Sequence, residues 1–82
     1  MHLKIIIIQY NMKTINIKDI PKGGTLINLE KYQGAYENLI LNHQKYFDKK
    51  KKYYIYCAKG VKSKRVTAIL EAYGYNVTRV TD

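Results

Sequence analysis

Tyr53-Tyr54-Ile55-Tyr56-Cys57-Ala58-Lys59-Gly60-Val61-Lys62-Ser63 changes character at its midpoint. The first five residues are aromatic and β-branched, which predicts a short strand over 53–57. The next six mix glycine, cations and serine, the composition of a loop. From Ser63 onward, Val66, Ile69, Leu70 and Tyr73 recur at three- and four-residue steps, so a helix follows. Gly74 stands where a left-handed C-terminal stop is wanted. Residues 76–80 then complete a strand, loop, helix, strand unit.

Moving toward the N-terminus, the run from Lys49 to Lys52 reads as a solvated connection. Before it, Tyr36, Leu39, Ile40, His43 and Phe47 follow the period of one helical face, which predicts a single helix over 36–47. Gly34 marks the end of the preceding connection. Residues 25–29 resemble a buried strand, and Pro21-Lys22-Gly23-Gly24 is the clearest break, because proline fixes its own φ and glycine permits positive φ. Thr14-Ile15-Asn16-Ile17 alternates polar and apolar residues and suits a short strand. Residues 3–8 read as another strand followed by the turn-prone Asn11, with 1–11 a candidate N-terminal extension. Strands alternating with helices over 1–82 predict a single α/β domain, a small, mostly parallel sheet flanked by helices.

A domain of this length buries only ~60% of its unfolded surface, so its stability margin is small. The apolar fraction of 46% is nevertheless too high for a disordered chain. Lys and Arg outnumber Asp and Glu by 15 to 6, and the formal charge of +9 favours anionic partners. The longest apolar run, Ile5-Ile6-Ile7-Ile8, is far short of the roughly 20 residues a membrane helix needs. No signal-peptide pattern is evident, which leaves the cytoplasm as the expected location. With one cysteine an internal disulfide is impossible, and neither His2 nor His43 has companions that suggest a metal site. Cys57 is then either a packed thiol or a reactive one.

A cysteine at the carboxyl end of a strand, with a loop leading into a helix, sits where backbone N–H groups converge and the helix dipole is positive. Such a place stabilises a thiolate, the reactive form of the thiol. Lys59, Lys62, Lys64 and Arg65 supply nearby cations. Gly60 suits a loop bending tightly around the sulfur, and Ser63 is a candidate helix cap that also donates into the loop.

Residues 54–65, continuing through Leu70-Glu71-Ala72-Tyr73-Gly74-Tyr75-Asn76-Val77, resemble the active-site segment of rhodanese-like sulfurtransferases. In that family a strand delivers the cysteine to a six-residue loop, glycine falls three residues after it, and serine or threonine follows a basic residue. The resemblance implies Cys57 as nucleophile, with Ala58, Lys59, Gly60, Val61, Lys62 and Ser63 binding the substrate. Cys57 would take sulfane sulfur from a small anionic donor such as thiosulfate and pass it, as a persulfide, to cyanide, a thiol or an acceptor protein. This chemistry uses no separate cofactor and no metal. The likeness covers 50–80 by motif and the earlier residues by pattern alone. Asn28 stands where the family usually has Asp, no Arg follows it, and Lys62 replaces the usual loop arginine, whose bidentate contact an ammonium cannot make. The chain runs to Thr81-Asp82 without the paired glycines and final helix usual afterwards, so it reads as a shortened member.

Three other readings compete. Cysteine phosphatase loops require an arginine six residues after the cysteine to clamp phosphate, and that position is Ser63. A non-catalytic module of the same fold would receive sulfur from an acidic partner or simply dock on it. Single-stranded nucleic acid suits the +9 charge and nine tyrosines, but no recognition motif accompanies them.

Overall fold

The computed structural model describes residues 13–32 and 35–82. The strand expected over 3–8, the Asn11 turn, the candidate extension and Gly34 lie outside them.

The described chain is an α/β fold built on a four-stranded parallel sheet. Its strands are β1 (Thr14–Asn16), β2 (Thr25–Asn28), β3 (Lys52–Tyr56) and β4 (Asn76–Thr81), in the spatial order β1-β4-β3-β2. β3 and β4 are central. Parallel strands with neighbours on both sides are covered on both faces and read as near-continuous apolar runs. Tyr53, Tyr54 and Ile55 of β3 are buried, as are Val77, Thr78 and Val80 of β4.

Three helices complete the fold: α1 (Glu37–Leu41), α2 (His43–Tyr46) and α3 (Val61–Ala72). Side chains alternate along a strand. Accordingly Tyr53, Ile55 and Cys57 join Tyr75 and Val77 in one cluster with Val66 and Leu70 of α3, Leu39 of α1, Leu29 and Phe47. Tyr54 points the other way, toward Gly24, where a Cβ would run into its ring. The expected turn at 21–24 is present, with Gly23 at φ +98°.

α3 ends as anticipated at Gly74, whose φ is +97°. The Tyr75 N–H donates to the Leu70 carbonyl at 3.1 Å and the Gly74 N–H to the Glu71 carbonyl at 2.9 Å. This paired pattern is the Schellman stop, and its usual apolar contact is supplied by Tyr75 and Leu70, both in the core.

Several expectations need correction. The helix predicted over 36–47 is two short helices, because Asn42 leaves helical geometry (φ −112°, ψ 36°) and its side-chain amide donates to the Asn38 carbonyl at 3.2 Å. Asparagine competes with a helix in this way by bonding nearby backbone. The strand predicted over 14–17 gives way at Ile17 to a 3-10 turn, where the Asn16 carboxamide accepts the Lys18 N–H. Leu29 leaves β2 for the same reason: Asn28 accepts the Glu30 N–H and starts a second 3-10 turn. Cys57 lies one residue beyond β3, and α3 begins at Val61 rather than Ser63.

Candidate functional site

The carboxyl ends of parallel strands are where an open α/β sheet binds ligands. Cys57 follows the carboxyl end of β3, Glu30 lies just after β2, and Arg79 lies near the end of β4. The cysteine is 3% exposed and free.

Gly60 turns the chain from strand to helix with φ +78°, a conformation that costs a residue bearing Cβ roughly 1–2 kcal/mol. It is also the residue flanking α3, and no side chain caps that end. The first-turn N–H groups of α3 therefore need another acceptor. The Cys57 Sγ provides it, accepting the Ser63 N–H at 3.1 Å. Ser63 is thus not the helix cap that its position suggested. It is the third residue of α3, fully buried, and its hydroxyl reaches the Gly60 carbonyl at 3.3 Å.

Two opposing effects act on the thiol. Burial pushes Cys57 up, but hydrogen bonds from the Ser63 hydroxyl and from the Ser63, Gly60 and Lys62 N–H groups outweigh it, leaving the thiol below its ordinary range. The cause is hydrogen bonding, not the lysine and arginine charges to which the sequence pointed. Lys59 and Lys62 do line a cleft of about 360 Å³ with Glu30, Cys57, Ala58 and Val61. Lys62 Nζ also lies 5.9 Å from the centre of the Tyr36 ring. Lys64 and Arg65 are exposed on α3, outside that cleft. Val61 is 72% exposed at its rim.

A second, smaller cleft of about 200 Å³ is lined by Cys57 from the β4 side, between the loop and residues Arg79 to Asp82. Two side chains therefore join the site that sequence reading did not assign to it. Glu30 Oε2 accepts the Ala58 N–H at 3.1 Å, and Arg79 Nη2 donates to the Gly60 carbonyl at 3.2 Å. Arg79 had a readable signal: alternation along Tyr75, Val77 and Arg79 puts a charge at a position on the helix-facing side of β4. Glu30 had none, since its place depends on β2 breaking at Leu29.

His43 is a packed, hydrogen-bonded residue, its Nδ1 2.7 Å from the Tyr75 hydroxyl and its ring stacked on Tyr73. Tyr53 likewise engages its phenol, which accepts the Asp48 N–H at 2.7 Å. Tyr53 and Tyr54 are both buried. Among the described residues, no three His, Cys, Asp or Glu side chains gather to hold a metal ion. No helix among them is long and apolar enough to cross a membrane.

No protein-family model, no curated protein and no solved structure matches the chain.

Proposed function

We propose that the chain is a rhodanese-like sulfur carrier in which Cys57 is the nucleophile. The observation that carries this reading is the Cys57 sulfur at the start of α3, hydrogen-bonded by the Ser63 N–H and held below the ordinary thiol range. A sulfur so placed is anionic at lower pH than a free thiol, and Cys57 lines two clefts.

The thiolate attacks the sulfane sulfur of a donor such as thiosulfate. A bond forms between Sγ and that sulfur, the donor's sulfur–sulfur bond breaks, and sulfite leaves with the electron pair. The terminal sulfur of the persulfide keeps one negative charge, which the N–H groups of 59–63 stabilise, that of Ala58 being held by Glu30. An acceptor such as cyanide then attacks that sulfur, the electron pair returns to Sγ, and thiocyanate leaves. Lys59 and Lys62 draw the anionic donor toward the cleft. Such a cycle needs a thiol kept reduced, which agrees with a cytoplasmic setting.

Intact mass before and after thiosulfate tests the proposal. A gain of about 32 Da, one sulfur on the thiolate, is expected for the native chain and not for Cys57→Ser. No gain in a folded sample would contradict it. One observation favours the alternative of a docking module: the Glu30 carboxylate already occupies the Ala58 N–H and places a negative charge where an anionic donor would enter.

A further inference from the structure

Three donors lie on the Gly60 carbonyl: Arg79 Nη2 at 3.2 Å, the Lys64 N–H at 3.3 Å, and at 3.3 Å the Ser63 hydroxyl, whose one proton serves either this carbonyl or the Cys57 sulfur. Fixing this carbonyl fixes the peptide plane at the head of α3. The Ser63 N–H, which donates to the Cys57 sulfur at 3.1 Å, lies in the turn that follows that plane. α3 supplies two of the three donors, both local in sequence. Arg79 supplies the third from another element, so it is the bond that ties the loop to the sheet.

Sterics agree with this role. A Cβ on Gly60 would stand 2.7 Å from Arg79 Nη2, so the absence of a side chain there is what lets the guanidinium approach the backbone. The arrangement also carries a cost to the fold, because Arg79 Nε is buried without a partner among the described residues. An unsatisfied buried donor destabilises, which an apolar residue continuing the Tyr75 and Val77 face would avoid.

We infer that Arg79 is a positioning residue for Cys57: by clamping the Gly60 carbonyl it keeps the N–H groups at the head of α3, that of Ser63 above all, directed at the sulfur. This rests on the reading of Cys57 as a reactive thiolate. The charged and titratable groups around Cys57 are Glu30 from the β2 side, Lys59 and Lys62 from the loop and α3, Tyr56 from β3, Arg79 from β4 and Asp82 just after it. None of the others is changed in the test.

The experiment is the pH dependence of Cys57 alkylation by iodoacetamide, a neutral reagent, followed by intact mass in the native chain, Arg79→Gln and Arg79→Lys. In Arg79→Gln the midpoint rises and the rate at neutral pH falls by about three- to tenfold, as a weakened hydrogen-bond set predicts. Arg79→Lys keeps the charge but loses the planar fork, and its midpoint rises by less. An unchanged midpoint in folded Arg79→Gln overturns the proposal. So does a native midpoint in Arg79→Lys, which would mean that bare charge suffices. Should Arg79→Gln not fold, Arg79→Lys alone decides, by a raised or an unchanged midpoint. Sulfur transfer is not needed for this readout, so a missing persulfide and an inert Arg79 are separate results. An ordinary thiol midpoint in the native chain would overturn the reading of Cys57 and this proposal together.

Discussion

The two halves of the described chain are built differently. From Lys52 to Thr81 the elements are a five-residue strand, a twelve-residue helix and a six-residue strand, and they hold the middle of the sheet. Among the described residues before Lys52 no element exceeds five residues, and β1 and β2 are the outer strands of the described sheet. Helices and strands so short gain little from their own hydrogen bonds and depend on what they pack against. The central unit is therefore the scaffold, and the earlier elements gain their stability by docking on it. The site follows the same division: the scaffold supplies Cys57, its loop and Arg79, while the docked half supplies Glu30 from a turn.

The sharpest probe of this contrast is a matched pair. Ile27 of β2 and Ile55 of β3 are register partners, but Ile55 is fully buried and Ile27 only partly. Ile55→Ala is expected to cost about 2–5 kcal/mol in urea unfolding, the range for a buried aliphatic truncation. Ile27→Ala should cost about 1 kcal/mol, since part of its surface already meets water. Equal losses would break the distinction between scaffold and docked half.

The next probe compares the glycines at the two ends of α3. Gly60→Ala and Gly74→Ala both place a side chain at positive φ, each at roughly 1–2 kcal/mol of stability. A Cβ on Gly74 meets nothing closer than Lys49 Nζ at 3.6 Å, an ordinary contact, whereas one on Gly60 displaces Arg79. Cys57 alkylation should therefore slow severalfold in Gly60→Ala and stay native in Gly74→Ala. Equal slowing would mean that helix strain in general, and not the loop, governs the thiol.

The smallest effect is on pH-dependent stability. The folded thiol loses its proton at lower pH than the unfolded one, so the folded state gains stability as pH rises between the two values. The gain is complete above the ordinary thiol value and is lost as pH falls through the lowered one. Cys57→Ala should remove this slope, narrowing its stability difference from the native chain toward neutral pH. Parallel stability–pH curves for the two chains would contradict the hydrogen-bonded thiolate.

Legibility in sequence follows the same division. The strand, loop, helix, strand unit could be read from its periodicity and from Gly74 because its elements are long enough to show a period. The end of β2 could not, since Asn28 terminates it through a local side-chain bond that alternation does not reveal. The same holds for Asn42, which splits one apparent helical face in two. At the site, Cys57, Gly60 and the loop were evident from their order along the chain. Ser63 donates into the loop as its position suggests, but it is not the cap of α3, because the sulfur accepts there. Glu30 and Arg79 reach the loop from 28 and 19 residues away, through the order of strands in the sheet.

The most direct test of the central claim is a single turnover. The native chain is treated with thiosulfate, freed of excess donor and mixed with cyanide, while intact mass and thiocyanate are followed together. A sulfur carrier should lose its added mass and release thiocyanate in equal molar amount, regenerating the thiol of Cys57. An added mass that cyanide does not remove, or thiocyanate released equally by Cys57→Ser, would contradict it.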